Sequence, residues 1–303
     1  MRLPNNKVMQ IKNIGVIFPS SFCDKKKIDE TINFFKNKGF NLIFARNNIK
    51  NINNFAGTDE EKINEINEIF SNKNVDIVFA FKGGMGLSRI IDKIDYDIIK
   101  KSGKPLFGYS DITLLHNAII KNTGLITYHS PMLDWASRTD DIDLDSLNYL
   151  INFLSNKDNT EYRKNLLKDV IVLKDGTAKG LTIGGNLALL SDSIGTKADF
   201  DTKNKILLIE NVGEKITRIH EELFHLKNAG KFDNIKALII GGMNYIEAET
   251  GFYSNVNDII LEIFKDIKIP IISNFPFGHD KRKMIIPLNN IMEIDTYNNK
   301  YGF

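Results

Sequence analysis

The chain has 303 residues, and 42% of them are hydrophobic, which suffices for the cores of one large domain or two medium ones. Its 40 Lys and Arg residues against 38 Asp and Glu residues leave a formal net charge of +2, so the charge gives no case for a nucleic-acid partner. The single cysteine, Cys23, excludes an intrachain disulfide framework and fits a reducing compartment or plain core packing.

The N-terminal segment from Met1 to Asn13 alternates polar and apolar residues. It lacks the continuous apolar core of a signal peptide, and the sequence contains no stretch with the length and apolar content of a transmembrane span. We therefore expect a cytoplasmic protein that has no membrane partner.

The first half of the sequence alternates short apolar segments with amphipathic ones. The apolar segments predict strands at Ile11–Phe18, Asn41–Ala45, Val75–Phe81, Pro105–Gly108 and Leu125–Tyr128. Amphipathic stretches at Lys27–Lys38 and Asp59–Ser71 predict helices between them. This alternation is typical of a parallel sheet wrapped by helices.

The segment Pro105–Thr113 predicts a strand, a sharp turn and the start of a helix, with Ser110 on the turn. The Ser110 hydroxyl would then lie at the carboxyl end of the strand, and the N–H of Asp111 would lie in the first helical turn, where negative charge is favoured. Such a serine can attack a carbonyl while the next N–H receives the oxyanion. The alternative is that Ser110 only caps the helix. The Gly-x-Ser-x-Gly pattern is not matched, because Ile112 stands in place of the second glycine.

A charged segment that is poor in apolar residues, 156–169, predicts a linker. Strands are predicted after it at Val170–Lys174, Lys205–Glu210, Lys236–Gly241 and Pro270–Asn274, with helices between them. The predicted division is therefore a domain at 1–155 that carries Ser110, a linker at 156–169, and a second domain at 170–303.

A serine nucleophile needs a base, and the base needs an orienting group. His279 follows an apolar segment and a Pro/Gly turn, which suits a catalytic base, although a surface-loop histidine has the same pattern. Glu210 ends an apolar strand, where α/β folds place functional groups; the alternative is a cap or salt-bridge partner for the next helix. His116 lies inside the helix that Ser110 opens, so we expect it to point away from the turn.

Two further histidines, His220 and His225, lie in the helical stretch Glu214–Ala229 and superficially match a zinc-binding H-E-x-x-H pattern. They are five residues apart, which places them roughly 140° apart around a helix, so we predict no zinc site there. The glycines at Gly83–Gly86 do not form G-x-G-x-x-G, and the P-loop pattern is absent from the sequence. We expect no metal and no cofactor.

A series of motifs carries a resemblance along most of the chain. They are Ile14–Ser21, Phe79–Gly86 through Asp95-Tyr96, Gly108–Thr113, His129–Met132, Gly184–Leu187 with Gly195-Thr196, Ile209–Asn211 with Glu214, and Gly278-His279 with Ile286–Leu288. In order and spacing, this series resembles the LD-carboxypeptidases (muramoyltetrapeptide carboxypeptidases), whose relatives include the microcin-immunity serine peptidases.

The resemblance implies an α/β fold with an N-terminal doubly wound parallel-sheet (flavodoxin-like) domain and a smaller C-terminal α/β domain, with the active site in the cleft between them. It implies Ser110 as the nucleophile, His279 as the general base and later acid, and Glu210 as the carboxylate that fixes the imidazole tautomer. The backbone N–H groups of Asp111 and Gly84 would form the oxyanion hole.

The implied activity is hydrolysis of the L,D-amide bond that releases the C-terminal D-alanine of murein tetrapeptides, as in peptidoglycan recycling. The expected partner is thus a murein-derived peptide, and the resemblance also raises the expectation of a homodimer. Two alternatives stay open: an immunity-type serine peptidase that acts on a peptidyl-nucleotide or another acidic amide, and a non-catalytic muropeptide-binding protein.

Several positions depart from the family pattern. Lys82 stands where relatives commonly carry arginine, Met85 replaces an aromatic residue, and Ser130 replaces a glycine. The segment Thr217–His220 differs from the Tyr-Arg-Ile-Asp expected near the substrate. None of these positions belongs to the proposed triad, but Lys82, Met85 and Arg218 are candidates for lining the substrate pocket.

Overall fold

The computed structural model describes residues 10–46, 49–137 and 143–303. The strands of the first half are β1 (Asn13–Ile17), β2 (Asn41–Phe44), β3 (Asn51–Ile52), β4 (Phe55–Ala56), β5 (Ile77–Ala80), β6 (Leu106–Gly108) and β7 (Thr127–His129). Its helices are α1 (Lys25–Asn37), α2 (Asp59–Ser71), α3 (Tyr96–Ser102), α4 (Ile112–Thr123), α5 (Leu144–Leu154) and α6 (Thr160–Leu167). The expectation about the N-terminal segment concerns mainly residues 1–9, which lie outside the described residues.

The strands of the second half are β8 (Ile171–Lys174), β9 (Thr177–Asn186), β10 (Lys205–Val212), β11 (Ala237–Asn244), β12 (Ile271–Ser273), β13 (Ile286–Leu288), β14 (Ile291–Asp295) and β15 (Lys300–Gly302). Its helices are α7 (Leu187–Ser193), α8 (Ile216–Asn228) and α9 (Val256–Ile263).

Five strands of the first half form a parallel sheet in the order β2-β1-β5-β6-β7. This is the strand order of flavodoxin-like doubly wound folds, so the predicted fold class is confirmed. Every residue of β5 is buried, as expected for a strand that helices cover on both faces.

The predicted helices are present, and their ends follow from capping. The α2 helix spans the predicted Asp59–Ser71, because Thr58 and Glu61 form a capping box at its start. The α1 helix begins at Lys25, before the predicted Lys27, because the Asp24 side chain accepts the Lys27 N–H and so caps the first turn.

The second sheet has the order β15-β14-β9-β10-β11-β12-β8, with β9 to β12 parallel and the outer strands antiparallel. The long strand β9 was not predicted. Its glycines weaken the strand pattern, yet Gly184 lies so close to Leu208 of β10 that an added Cβ would overlap the Leu208 backbone. Glycine therefore allows this close approach between the two strands.

The segment 156–169, predicted as a linker, contains the α6 helix, and Leu166 of this helix is buried. A late segment also returns to the first half, because β13 pairs antiparallel with β7 at the edge of the first sheet. One hydrophobic cluster accordingly contains Phe107 of the first sheet together with Ile239 of the second and Ile286. The two halves thus both contribute to this cluster.

The carboxyl ends of β1, β5 and β6 meet at one edge of the first sheet, and the loops after them carry Ser20, Gly83 and Ser110. Ligands of open α/β sheets bind at this edge, where the strand order reverses. Within residues 10–46, 49–137 and 143–303, no helix is long and apolar enough to cross a membrane.

Candidate active site

Ser110 occupies a strained turn between a strand and a helix. The β6 strand ends at Gly108 and α4 begins at Ile112, and Ser110 between them has a φ of +64°. This left-handed conformation is uncommon for a residue with a side chain and marks functional sites more often than others. Asp111 precedes α4 with helical dihedral angles and, within the described residues, no capping hydrogen bond from its side chain, and the Thr113 N–H donates to the Ser110 carbonyl at 2.9 Å. The two interpretations of Ser110, as nucleophile and as helix cap, both stay predictions.

The glycine loop after β5 lies against this serine. A Cβ added at Gly83 would stand 3.0 Å from Ser110 Cβ and 3.1 Å from its Oγ. Gly84 has a φ of +109°, and a Cβ added there would point away from Ser110 and overlap the Ser21 side chain. Glycine is therefore required at Gly84 for space and for its backbone conformation, whereas a side chain at Gly83 would need the Ser110 side chain to shift by a few tenths of an ångström. The oxyanion roles of the Gly84 and Asp111 N–H groups stay predictions.

Hydrogen bonds hold the glycine loop to the loop after β1. The Ser21 N–H donates to the Gly83 carbonyl at 3.2 Å, and the Met85 N–H donates to Ser21 Oγ, also at 3.2 Å. Because both bonds connect the same two loops, the peptide planes of residues 83–85 are fixed in front of Ser110.

The Asp111 carboxylate joins three loops at this edge of the sheet. Its Oδ2 accepts hydrogen bonds from the Ser20 hydroxyl at 2.6 Å and from the Leu87 N–H at 3.1 Å. Burial raises the pKa of this carboxyl, while both hydrogen bonds favour its charged form. Sequence analysis assigned a role only to the backbone N–H of Asp111 and missed these side-chain hydrogen bonds. The signal that could have revealed them is that Asp111 and the serines after β1 follow strands that end at the same edge of the sheet.

His279 is paired with a buried carboxylate. Its Nδ1 lies 2.7 Å from Oε2 of Glu210, whose side chain is fully buried at the end of β10, while the imidazole is 19% exposed. Gly278, with a φ of +88°, packs directly on Glu210. The helix after β10 is capped at Lys215, so the alternative in which Glu210 caps that helix is wrong. The partner of Glu210 Oε2 is instead His279 Nδ1. The roles of this pair as general base and orienting carboxylate stay predictions.

The two halves meet at the Ser110 turn. The Tyr109 ring stands edge-on to the His279 ring, with 4.9 Å between their centroids. On the other side of the turn, Thr113 Oγ1 accepts the N–H of Asn186 at 3.0 Å. Sequence analysis missed this role of Thr113, since nothing local to the residue indicates a partner that is 73 positions away.

Three of the other four histidines have structural partners, whereas the buried His129 has no hydrogen-bond partner for Nε2 in the part of the chain that the structure describes and contacts the rings of Tyr109 and Phe277. The buried His116 donates from Nε2 to the Gly108 carbonyl at 2.9 Å, so the expectation that it points away from the turn is wrong. Burial lowers its pKa to about 4, so it supports the turn as a neutral ring. His225 Nδ1 is bonded to the Ser191 hydroxyl at 2.8 Å, and His220 packs against Phe224. Among the described residues, His, Cys, Asp and Glu side chains form no group of three that could hold a metal ion.

The three residues proposed to line the substrate pocket differ in their surroundings. Lys82 is half-buried and donates to the Phe22 carbonyl at 3.3 Å, and Met85 is 60% exposed. Arg218 is half-exposed and lies near three carboxylates, which belong to Asp192, Glu221 and Glu222. A substrate carboxylate would compete with these acids for the Arg218 guanidinium, and the role of Arg218 in substrate binding stays a prediction.

Comparison with known proteins supports the motif series. The LD-carboxypeptidase N-terminal domain matches residues 14–130, and the LD-carboxypeptidase C-terminal domain matches residues 179–294. A probable murein peptide carboxypeptidase of Bacillus subtilis (strain 168) is 32% identical over 288 residues, which cover 93% of this chain and 88% of that protein. The chain belongs to the LD-carboxypeptidase family.

Other members show the same fold. The crystal structure of a muramoyltetrapeptide carboxypeptidase from Oxalobacter formigenes superposes with a TM-score of 0.78 at 25% identity and covers 96% of both chains. The microcin C7 self-immunity protein MccF of Escherichia coli is 25% identical over 306 residues, which cover 92% of this chain and 88% of that protein. The resemblance inferred from the motifs is therefore confirmed at the level of the family.

Proposed function

We propose that this protein is a serine-type LD-carboxypeptidase that releases the C-terminal D-alanine from murein tetrapeptides in the cytoplasm. The observation that carries the proposal is the hydrogen bond between His279 and the buried Glu210, in a chain that holds Ser110 on a strained turn. The murein peptide carboxypeptidase relative, at 32% identity, supports the substrate class.

The geometry supports a two-step acyl transfer. Glu210 accepts a hydrogen bond from Nδ1–H and stays ionised, and His279 Nε2 takes the Ser110 hydroxyl proton as Oγ attacks the carbonyl carbon. The tetrahedral oxyanion receives N–H donors from Asp111 and Gly84, each worth about 100- to 1,000-fold in turnover. His279 then gives the proton to the departing D-alanine nitrogen, and an ester to Ser110 remains. Water attacks this ester with His279 again as base, which frees the tripeptide and restores Ser110.

The test uses mass spectrometry of L-Ala-D-Glu-diamino acid-D-Ala incubated with the full-length protein. Wild type is expected to remove one alanine, whereas Ser110→Ala and His279→Gln are expected to remove none. The matched control is His225→Gln, because the glutamine amide can keep the bond to Ser191 and His225 lies outside the proposed triad. Alanine loss with Ser110→Ala at the wild-type rate would contradict the role of Ser110.

The similarity to the microcin C7 self-immunity protein favours one alternative, a serine peptidase that acts on an acidic amide or peptidyl-nucleotide. Cleavage of an aminoacyl-nucleoside amide by wild type, with diaminopimelate and lysine tetrapeptides both left intact, would support it. Tetrapeptide binding without labelling of Ser110 by a fluorophosphonate would instead indicate a non-catalytic binding protein. Homodimer formation belongs to the proposal and is tested by the molar mass in solution.

A further inference from the structure

A buried lysine lies beside the proposed triad. Lys283 is only 5% exposed, although lysine is rarely buried without partners. Its ammonium group donates to the Asp280 carbonyl, lies 4.2 Å from the ring centroid of Trp135 and 5.1 Å from that of Tyr109. Two aromatic faces and one carbonyl thus replace part of the water that the cation loses on burial.

These partners come from both halves of the molecule. Asp280 follows His279 in the second half, whereas Tyr109 precedes Ser110 and Trp135 lies in the short helical turn Leu133–Ser137 of the first half. The Lys283 backbone N–H also donates to the Ser146 hydroxyl of α5 at 2.7 Å. The loop that carries His279 is therefore attached to the first half at Lys283 through its backbone and its side chain.

The Tyr109 ring connects this cation to the base. It contacts Lys283, and it stands edge-on to the His279 imidazole at 4.9 Å between centroids. Because Ser110 is the next residue, a shift of Tyr109 changes the positions of both the nucleophile and the base. A cation over an aromatic face attracts the ring electrostatically, and this attraction adds to the packing that holds Tyr109 in place.

We propose that Lys283 is a positioning residue, whose cation, held between Trp135 and Tyr109, aligns His279 with Ser110. The proposal rests on the serine mechanism given above, but it does not depend on the identity of the substrate. Lys283 itself transfers no proton and contacts no reacting atom in this role. Its removal is expected to lower the rate of serine attack and to leave substrate affinity nearly unchanged.

The experiment compares Lys283→Met, which keeps the length of the stem without the charge, with Lys283→Arg, which keeps a cation that stacks on aromatic rings. The matched control is Lys281→Met, because Lys281 is an exposed lysine of the same loop. Three quantities are measured on the full-length protein: the rate of Ser110 labelling by a fluorophosphonate, kcat and KM on the tetrapeptide, and the fluorescence emission. Trp135 is the single tryptophan of the chain, so emission excited selectively at tryptophan reports on the surroundings of Trp135.

With Lys283→Met, we expect labelling and kcat to fall about 10- to 100-fold, the range for a small misplacement of reacting groups, with KM within about 3-fold of wild type. The Trp135 emission should shift in Lys283→Met and return toward wild type in Lys283→Arg, together with the rate. Lys281→Met should match wild type in every readout. A wild-type labelling rate in a folded Lys283→Met protein would overturn the proposal.

A second pair of variants tests the proposal where Lys283→Met does not fold. Trp135→Phe keeps an aromatic face for the cation and should be labelled at nearly the wild-type rate, whereas Trp135→Leu should be labelled slowly. Equal rates for the two would overturn the proposed role of the cation. Labelling needs no murein peptide, so a wild-type protein that is labelled but cleaves no tetrapeptide would refute the proposed substrate and still permit this comparison.

Discussion

Replacement of Gly278 by alanine should disable the proposed triad without replacing any of its members. Gly278 precedes His279 and has a φ of +88°. A Cβ at this position would stand 2.6 Å from both Cβ and Cγ of Glu210 and 2.7 Å from its Oε2, the oxygen that bonds His279. The added methyl group therefore presses on the carboxylate that orients the base.

The distances in the structure set the size of the expected activity loss. To move from 2.6 Å to an ordinary contact of 3.4 Å, the Glu210 side chain or the Gly278 backbone must shift by about 0.8 Å. A misplacement of this size costs about 100-fold in rate when reacting groups lose their alignment. The positive φ adds about 1–2 kcal/mol of destabilisation for any residue with a Cβ.

The matched control separates these two effects. Gly251 has a φ of +80°, but an added Cβ there meets nothing within 4 Å, so Gly251→Ala carries the backbone cost alone. The assays are kcat/KM on the tetrapeptide, the fluorophosphonate labelling rate of Ser110, and urea unfolding of both variants. We expect an activity loss of about 100-fold in Gly278→Ala only. Equal activities in the two folded variants would refute the argument that Glu210 must stay where Gly278 places it.

Two further predictions concern stability. Ser110→Gly should be more stable than Ser110→Ala by about 1 kcal/mol in urea unfolding, because glycine adopts the φ of +64° without strain; an alanine variant at least as stable as the glycine variant would contradict this. Burial raises the pKa of Glu222 from 4.5 to about 7, although Arg218 opposes the shift. The folded state then holds a proton that the unfolded state has lost, so the unfolding free energy falls as the pH rises from about 4.5 to 7. Glu222→Gln should make this fall smaller than in wild type, whereas Glu221→Gln, at an exposed position, should not; identical pH profiles for Glu222→Gln and wild type would argue against the shift.

Much of the fold was predictable because its signals are local. The apolar run before Ser110, the turn and the helix after it all lie within a few residues of one another, and the alternation of strands and helices repeats this pattern along the chain. The strand β9 was missed because several of its residues are glycines, which lack the side chains that indicate a strand. These glycines allow the close approach to β10.

The candidate site was predictable only in part. Ser110, Glu210 and His279 each stand at the end of an apolar segment, and the motif series identified them as a set. The alternatives at each position could not be separated from the sequence, because a helix cap and a nucleophile share the same local pattern. The structure places the N-cap of the helix after β10 at Lys215, which excludes Glu210 as its cap, while the role of Ser110 stays a prediction.

The sequence by itself determined the α/β class, the family and the residues that stand at the ends of the strands, since periodicity and motif spacing are encoded within short windows. Only the tertiary structure decided which of these residues meet. Glu210 and His279 are 69 positions apart, and Ser20 and Asp111 are 91 apart. Their contacts, like the position of Lys283 between rings of the first half, depend on strand order and on the packing of the two halves. Those are properties of the whole chain, because a long-range contact forms only when the register of every intervening strand and helix is set.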